Sequence, residues 1–244
     1  MGSGAMTAIF LQARLGSRRF PGKVLADLAG RPAVEHAMLA LRRVPAERYV
    51  LLTDPQSERE LASPASRAGF VVFAGDPEDV LARFAAAVEW YEPETVVRAT
   101  GDNPLVSSHV ATAALGLHHK TAGDYTALIK SPVGTGVEVV RAGALLRAAA
   151  EAQDPYEREH VTPFLYRRPA EFRLCIEPVP VSWRAENARV TLDTREDYER
   201  IYQIYDTLYS GAPIDIGTLV THLSEKTNLS GDAGMLRSSH IYSA

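Results

Sequence analysis

Four short apolar runs in the first hundred residues alternate with stretches of helical spacing, and this alternation leaves few folds open to the chain. The runs lie at residues 8–11, 49–53, 70–73 and 95–98. Between them come a helix over 32–42 with a proline suited to its first turn, a polar helix over 56–68, and a helix over 76–90 opened by Asp76 and Pro77. Such alternation builds βαβ units and a mostly parallel, doubly wound sheet with helices on both faces. Ligands on such a sheet bind beyond the carboxyl ends of the strands. The loop after the first run, Thr53 with Asp54, Gly75 with Asp76 and Gly101 with Asp102 all fall at those ends, so one crevice is expected to collect them.

Residues 11–23, LQARLGSRRFPGK, hold two glycines, a serine and four cations, Arg14, Arg18, Arg19 and Lys23. Glycines let backbone N–H groups come close to a ligand, and clustered cations offset the charge of a polyphosphate. The loop is neither a Walker A sequence nor a dinucleotide G-x-G-x-x-G. It reads as a triphosphate cradle, against the plainer alternative of a solvated basic loop.

The remainder of the chain is more mixed. Strands are expected at 124–129, 136–140, 172–176 and 189–192, an alanine-rich helix at 142–152, another from Asp154, and an amphipathic helix at 196–208. One domain over 7–228 is expected, with a mixed subregion at about 120–185 that covers an acceptor pocket or forms a dimer arm. Residues 1–6 read as a vector-derived leader and 229–244 as a flexible tail. A net charge of −4 argues against a general nucleic-acid binder, so the local basic cluster points to a small anionic ligand. Cys175 is the single cysteine, which excludes an internal disulfide and a thiolate metal cluster. No run approaches a membrane span and no signal core follows a basic start, so a cytoplasmic location is expected.

Five segments in order resemble the sugar-activating cytidylyltransferases, meaning the CMP-Kdo and CMP-sialic acid synthetases and their relatives. The spore coat polysaccharide biosynthesis protein F branch gives the nearest pattern. The segments are A-R-x-G-S-x-R-x-P-G-K at 13–23, GDPEDVLAR at 75–83, RATGDNP at 98–104, DPYEREHVTP at 154–163 and RVTLDTRED at 189–197. The resemblance runs from about residue 9 to 208. It implies a Rossmann-like three-layer α/β sandwich of the nucleotide-diphospho-sugar transferase type with a mostly parallel, mixed sheet. It also implies a homodimer and Mg²⁺-dependent coupling of CTP to an acidic sugar or other anionic acceptor, releasing pyrophosphate, for surface polysaccharide or related glycans.

Residue roles follow from the same resemblance. Arg14 and Lys23 are the catalytic cations. Leu11, Gln12, Ala13, Gly16, Ser17 and Arg18 complete the phosphate and base site with Thr53, Asp54, Arg83 and Asp102. Asp102 and Asp193 are the metal ligands, since Mg²⁺ takes hard oxygen donors and is commonly held by one or two carboxylates plus phosphates. The alternative for Asp102 is a turn aspartate, for Asp193 a helix N-cap, and for Arg83 an exposed helix residue. Glu138, Arg158, Glu159 and His160 belong to the acceptor side, or else 156–160 is a surface helix of paired charges. Gly136 stands where the branch has an aspartate, which keeps open a nucleotidyltransferase that uses another NTP or an unusual acceptor, such as a phosphonate, a phosphorylated polyol or glycerate. A glycosyltransferase is disfavoured because no Asp-x-Asp stands at a strand end. A silent nucleotide-binding protein remains the rival outside enzymes.

Overall fold

The computed structural model describes residues 6–230, with side chains to residue 225. Apart from Met6 and residues 229–230, the leader and tail expected from the sequence lie outside the described residues. In chain order the main elements are β1 (Thr7–Gln12), β2 (Asp27–Leu28), β3 (Arg31–Pro32), α1 (Ala33–Leu41), β4 (Arg48–Thr53), α2 (Glu58–Arg67), β5 (Val71–Ala74), α3 (Val80–Tyr91), β6 (Thr95–Thr100) and α4 (Ser108–Thr121). Then follow β7 (Tyr125–Ile129), β8 (Glu138–Arg141), α5 (Ala142–Glu151), α6 (Pro155–His160), α7 (Pro163–Tyr166), β9 (Leu174–Pro178), α8 (Arg195–Leu208) and α9 (Ile216–Ser230).

Seven strands form one sheet in the order β5-β4-β1-β6-β8-β7-β9. β1, β4, β5 and β6 are mutually parallel, β8 runs antiparallel to both β6 and β7, and β9 pairs parallel with β7. The apolar runs are continuous because each central strand is covered on both faces. Ile9, Leu11, Leu51 and Val97 face one core with residues of α1, α2 and α4. Ala8, Phe10, Val50, Leu52 and Val96 face another with α3, α5 and α7. The result is the expected Rossmann-like three-layer α/β sandwich with a mostly parallel, mixed sheet. A third cluster joins α8 and α9 through Ile201, Ile204, Tyr205, Ile216 and Leu219 to Leu28, Leu105 and Val110. Residues 125–178 complete the main sheet and its second helix layer.

Two expected elements need correction. Residues 189–192 are extended but form no strand; their one ladder contact is a bridge from Arg189 to Val133. Val190 N–H donates to the Val133 carbonyl within that bridge, but Leu192 N–H turns away to the Asp102 carbonyl, both at 2.8 Å. α3 starts at Val80, not at Asp76, because Asp79 is its N-cap and accepts from Ala82 N–H at 2.9 Å. Asp76 instead closes a turn by accepting from the Glu78 and Asp79 amides. Three described helices, α4, α7 and α9, fall outside the expected set.

Candidate active site

The loop after β1 is folded against its own backbone. The Ser17 and Gly22 amides both donate to the Leu15 carbonyl, at 2.8 and 3.1 Å. Gly22 sits at φ +70°, a left-handed conformation that glycine adopts without steric cost. This turn starts a short 3₁₀ segment at Lys23 and aims its side chain across the sheet ends. At the end of β6, Gly101 comes so close to the loop that a Cβ there would lie 2.7 Å from that of Ala13.

The loops from β1 and β6 and the segment before α8 meet at one charged point. Lys23 Nζ donates to Asp102 Oδ2 at 2.9 Å and to Asp193 Oδ1 at 3.0 Å. Asp193 also accepts from Arg189 at 2.5 Å and Thr191 Oγ1 at 3.1 Å, and pairs with Arg19 at 3.0 Å. Burial alone would raise the Asp193 pKa; the bond to Lys23 and its charge, with Arg189 and Arg19, outweigh it and pull the carboxyl to about 2. Asp193 is therefore not the helix cap. Thr194 caps α8 in a reciprocal box with Asp197.

This cluster lies at one side of a cleft of about 800 Å³ lined by Gln12, Ala13, Arg14, Gly16, Ser17, Arg18, Arg19 and Lys23. Arg83, Arg98, Thr100, Asp102, Glu159, His160 and Asp193 close it. Neither Arg14 nor Arg18 makes an ion pair or hydrogen bond among the described residues, so both charges are free for a ligand. Arg83 is fully buried and not an exposed helix residue. It donates to the Asp76 carbonyl from Nε at 2.9 Å and Nη2 at 2.7 Å, holding the 75–79 loop to the cleft wall.

Three expected nucleotide residues stand apart. Leu11 and Thr53 are wholly buried and do not line the cleft. Asp54 is also buried, and its carboxylate accepts from the Ser57 amide at 2.7 Å, closing the turn before α2. A strand end is thus not sufficient to place a side chain in the crevice.

A second cavity of about 520 Å³ opens beside the first, lined by Asn103, Lys130, Gly136, Glu138, Tyr156 and Arg189 among others. Arg98, Thr100 and His160 line both and form the partition. Glu138 spends its oxygens inward: it pairs with Arg98 and accepts from Tyr125 Oη and Thr162 Oγ1, each at 2.7 Å. Arg98 also donates to Gln12 Oε1 at 3.1 Å. His160 lies against Tyr156, ring centroids 4.2 Å apart, and burial lowers its pKa below the usual value. Arg158 lines neither cavity. Its guanidinium binds Asp79 at 2.5 Å and the Ala152 carbonyl at 2.7 Å. Arg98, Thr100 and Arg189 are site members that the sequence reading does not pick out; for Arg98 a lone arginine within a buried strand signals a polar task.

A sheet with its cationic loop at the strand ends, a carboxylate pair within that loop's reach and a second cavity alongside define a nucleotidyltransferase. The cytidylyltransferase family profile matches residues 8–216, and the chain belongs to that family. It is 32% identical over 221 residues to the spore coat polysaccharide biosynthesis protein SpsF of Bacillus subtilis, covering 88% of this chain and 92% of that one. It is 28% identical to the 3-deoxy-manno-octulosonate cytidylyltransferase of Agrobacterium fabrum, over 72% and 78% of the two chains. The fold is similar to that of a cytidylyltransferase from Leptospira borgpetersenii, with TM-score 0.84, 24% identity, and 93% and 97% coverage.

Proposed function

We propose that the protein transfers the cytidylyl group of CTP, with Mg²⁺, to an oxygen of an acidic sugar or other anionic acceptor held in the second cavity. The observation that carries this reading is the division of charge in the cleft. Arg14 and Arg18 are unpaired among the described residues, and Lys23 faces the Asp102 and Asp193 carboxylates a few ångströms away. Free cations suit the β- and γ-phosphates, and carboxylates suit a divalent ion.

The carboxylate pair fits Mg²⁺. Both oxygens lie within 3.0 Å of one ammonium nitrogen, so a single cation can touch both, and carboxylate oxygens are the hard donors Mg²⁺ takes. No group of three or more acidic, His or Cys side chains surrounds the point among the described residues, which leaves the other ligand positions to phosphate and water. When bound there, the ion would neutralise charge between the α-phosphate and the acceptor oxygen.

The remaining work falls to positioning and charge. The acceptor oxygen attacks the α-phosphorus, an acceptor hydroxyl giving up its proton to solvent, while the bond from the α-phosphorus to the bridging oxygen of the β-phosphate breaks and pyrophosphate leaves. Arg14, Arg18 and Lys23 take up the charge gathering on pyrophosphate. The partition of Arg98, Thr100 and His160 sets where the two substrates meet. Such a product would serve surface polysaccharide assembly, as the SpsF name suggests for that relative.

The test is pyrophosphate release with CTP, ATP, GTP or UTP, Mg²⁺, and a panel of 3-deoxy-manno-octulosonate, other acidic sugars, phosphorylated polyols and phosphonates. Acceptor-dependent release with CTP alone is expected. Acceptor-dependent release with another nucleotide and none with CTP would overturn the cytosine assignment.

A further inference from the structure

Two carboxylates, Asp102 and Asp193, face three cations, Lys23, Arg19 and Arg189. The cations are not equivalent. Arg19 and Arg189 each reach Asp193 alone, with side chains 65% and 43% exposed. Lys23 is the enclosed one, at 12%, and it alone binds both carboxylates through a single nitrogen. Its ammonium therefore stands where one cation shared by the pair must stand. A divalent ion at ordinary Mg²⁺–oxygen distances cannot enter beside it without like-charge contact at close range.

A lysine suits a temporary place of this kind. Its charge is compact and sits on a flexible four-carbon stem, whereas a guanidinium would be fixed by its planar fork. The stem begins immediately after Gly22, on the same loop as Arg14 and Arg18, which are unpaired among the described residues. A triphosphate drawn to those arginines would bring several negative charges within reach of the same ammonium.

We infer that Lys23 is a tethered placeholder for the divalent ion, occupying the Asp102–Asp193 pair until nucleotide arrives and then passing to the phosphates. The metal enters with the nucleotide and not before it. This rests on the nucleotide reading for its second half only; the first half concerns the carboxylate pair by itself.

The test is Mn²⁺ binding, followed by electron paramagnetic resonance at neutral pH, with and without CTP. Without nucleotide, the wild type and Lys23→Arg bind Mn²⁺ weakly. Lys23→Met binds one ion per chain roughly tenfold more tightly or better, because the pair has lost its internal cation. Adding Asp102→Asn to Lys23→Met abolishes that gain, which places the ion on the pair. Adding CTP raises the wild-type affinity by a similar factor. Thermal melts verify folding, and Lys23→Gln replaces Lys23→Met if the apolar side chain misfolds. Equal nucleotide-free affinities in wild type and Lys23→Met would overturn the placeholder, as would tight nucleotide-free binding by the wild type alone. If Lys23→Met gains affinity but CTP changes nothing in the wild type, the placeholder stands at the pair and the transfer of Lys23 to phosphates falls with the nucleotide reading.

Discussion

Leu192 donates its amide to the carbonyl of Asp102 at 2.8 Å, and this bond draws together two acidic loops that are far apart in sequence. The carboxylates of Asp102 and Asp193 thereby come within reach of one cation. Asp102→Asn keeps the shape of the turn and removes the charge. Turnover is expected to fall roughly tenfold or more while the melting temperature hardly changes, since a charged group at the reacting phosphate contributes several kcal/mol. Pyrophosphate release together with a thermal melt measures both; near-normal turnover would remove Asp102 from the reaction.

Gly101 and Gly16 both belong to the cleft, yet they differ in what surrounds them. A Cβ on Gly101 would meet the Ala13 Cβ at 2.7 Å and Val34 Cγ2 at 3.1 Å, whereas nothing lies within 4 Å of one on Gly16. Gly101→Ala should cost about 1–3 kcal/mol of stability through overpacking. Gly16→Ala should melt like the wild type. Urea titrations of the two variants provide the comparison.

Gly136 lines the second cavity, and the nearest atom to an added Cβ is the Leu128 carbonyl oxygen at 3.8 Å, an ordinary contact. Gly136→Asp is expected to fold normally and bind CTP as before. Its new carboxylate should raise KM for an anionic acceptor roughly tenfold. An unchanged KM across the acceptor panel would argue that acceptors bind elsewhere.

Arg158 fastens α6 to the cap of α3 through Asp79. Arg158→Ala should lower stability by about 1–3 kcal/mol by stripping a buried carbonyl and a cap of their partner. KM for the acceptor should hold steady. A raised KM with an unaltered melt would return Arg158 to the acceptor site.

Burial presses the His118 pKa down from 6.5 to about 4, with the charge of His119 adding to the effect. Between those values the unfolded imidazole takes up a proton that the folded one refuses. Stability from this residue is therefore complete above about 6.5 and is lost as pH falls toward 4. After allowance for solvent screening the loss is about 2 kcal/mol. His118→Gln should flatten this part of the acid slope in urea midpoints taken across the range; an unchanged slope would assign it to His36 and His160, whose pKa values also lie low.

The parallel half of the sheet was legible because strands covered on both faces read as unbroken apolar runs, Phe10 toward one layer and Leu11 toward the other. α4 was harder to read. Its inward positions, Val110, Ala111, Ala114, Leu115 and His118, keep helical spacing, but a histidine bonded to Thr126 and mostly small neighbours blur the stripe. Residues 189–192 have strand-like composition, yet their amides serve the Val133 and Asp102 carbonyls, a long-range arrangement that local pattern does not encode. In the site, Lys23, Asp102 and Asp193 stood out by residue type and position. Arg98 did not, since its meaning comes from Glu138, forty positions away, and Asp54 misled because a turn had already claimed its carboxylate.

The bond from Lys23 to Asp193 spans 170 residues, and that span governs when the charged cluster is assembled. On the ribosome the basic loop after β1 emerges early and Asp102 follows with the middle strands. Asp193 appears only with the last third of the chain, at a synthesis rate of roughly 5–20 residues per second. A chain lacking that last third keeps the basic loop and lacks half of the carboxylate pair. On the proposed function, the site is complete only once the last third of the chain has joined the fold.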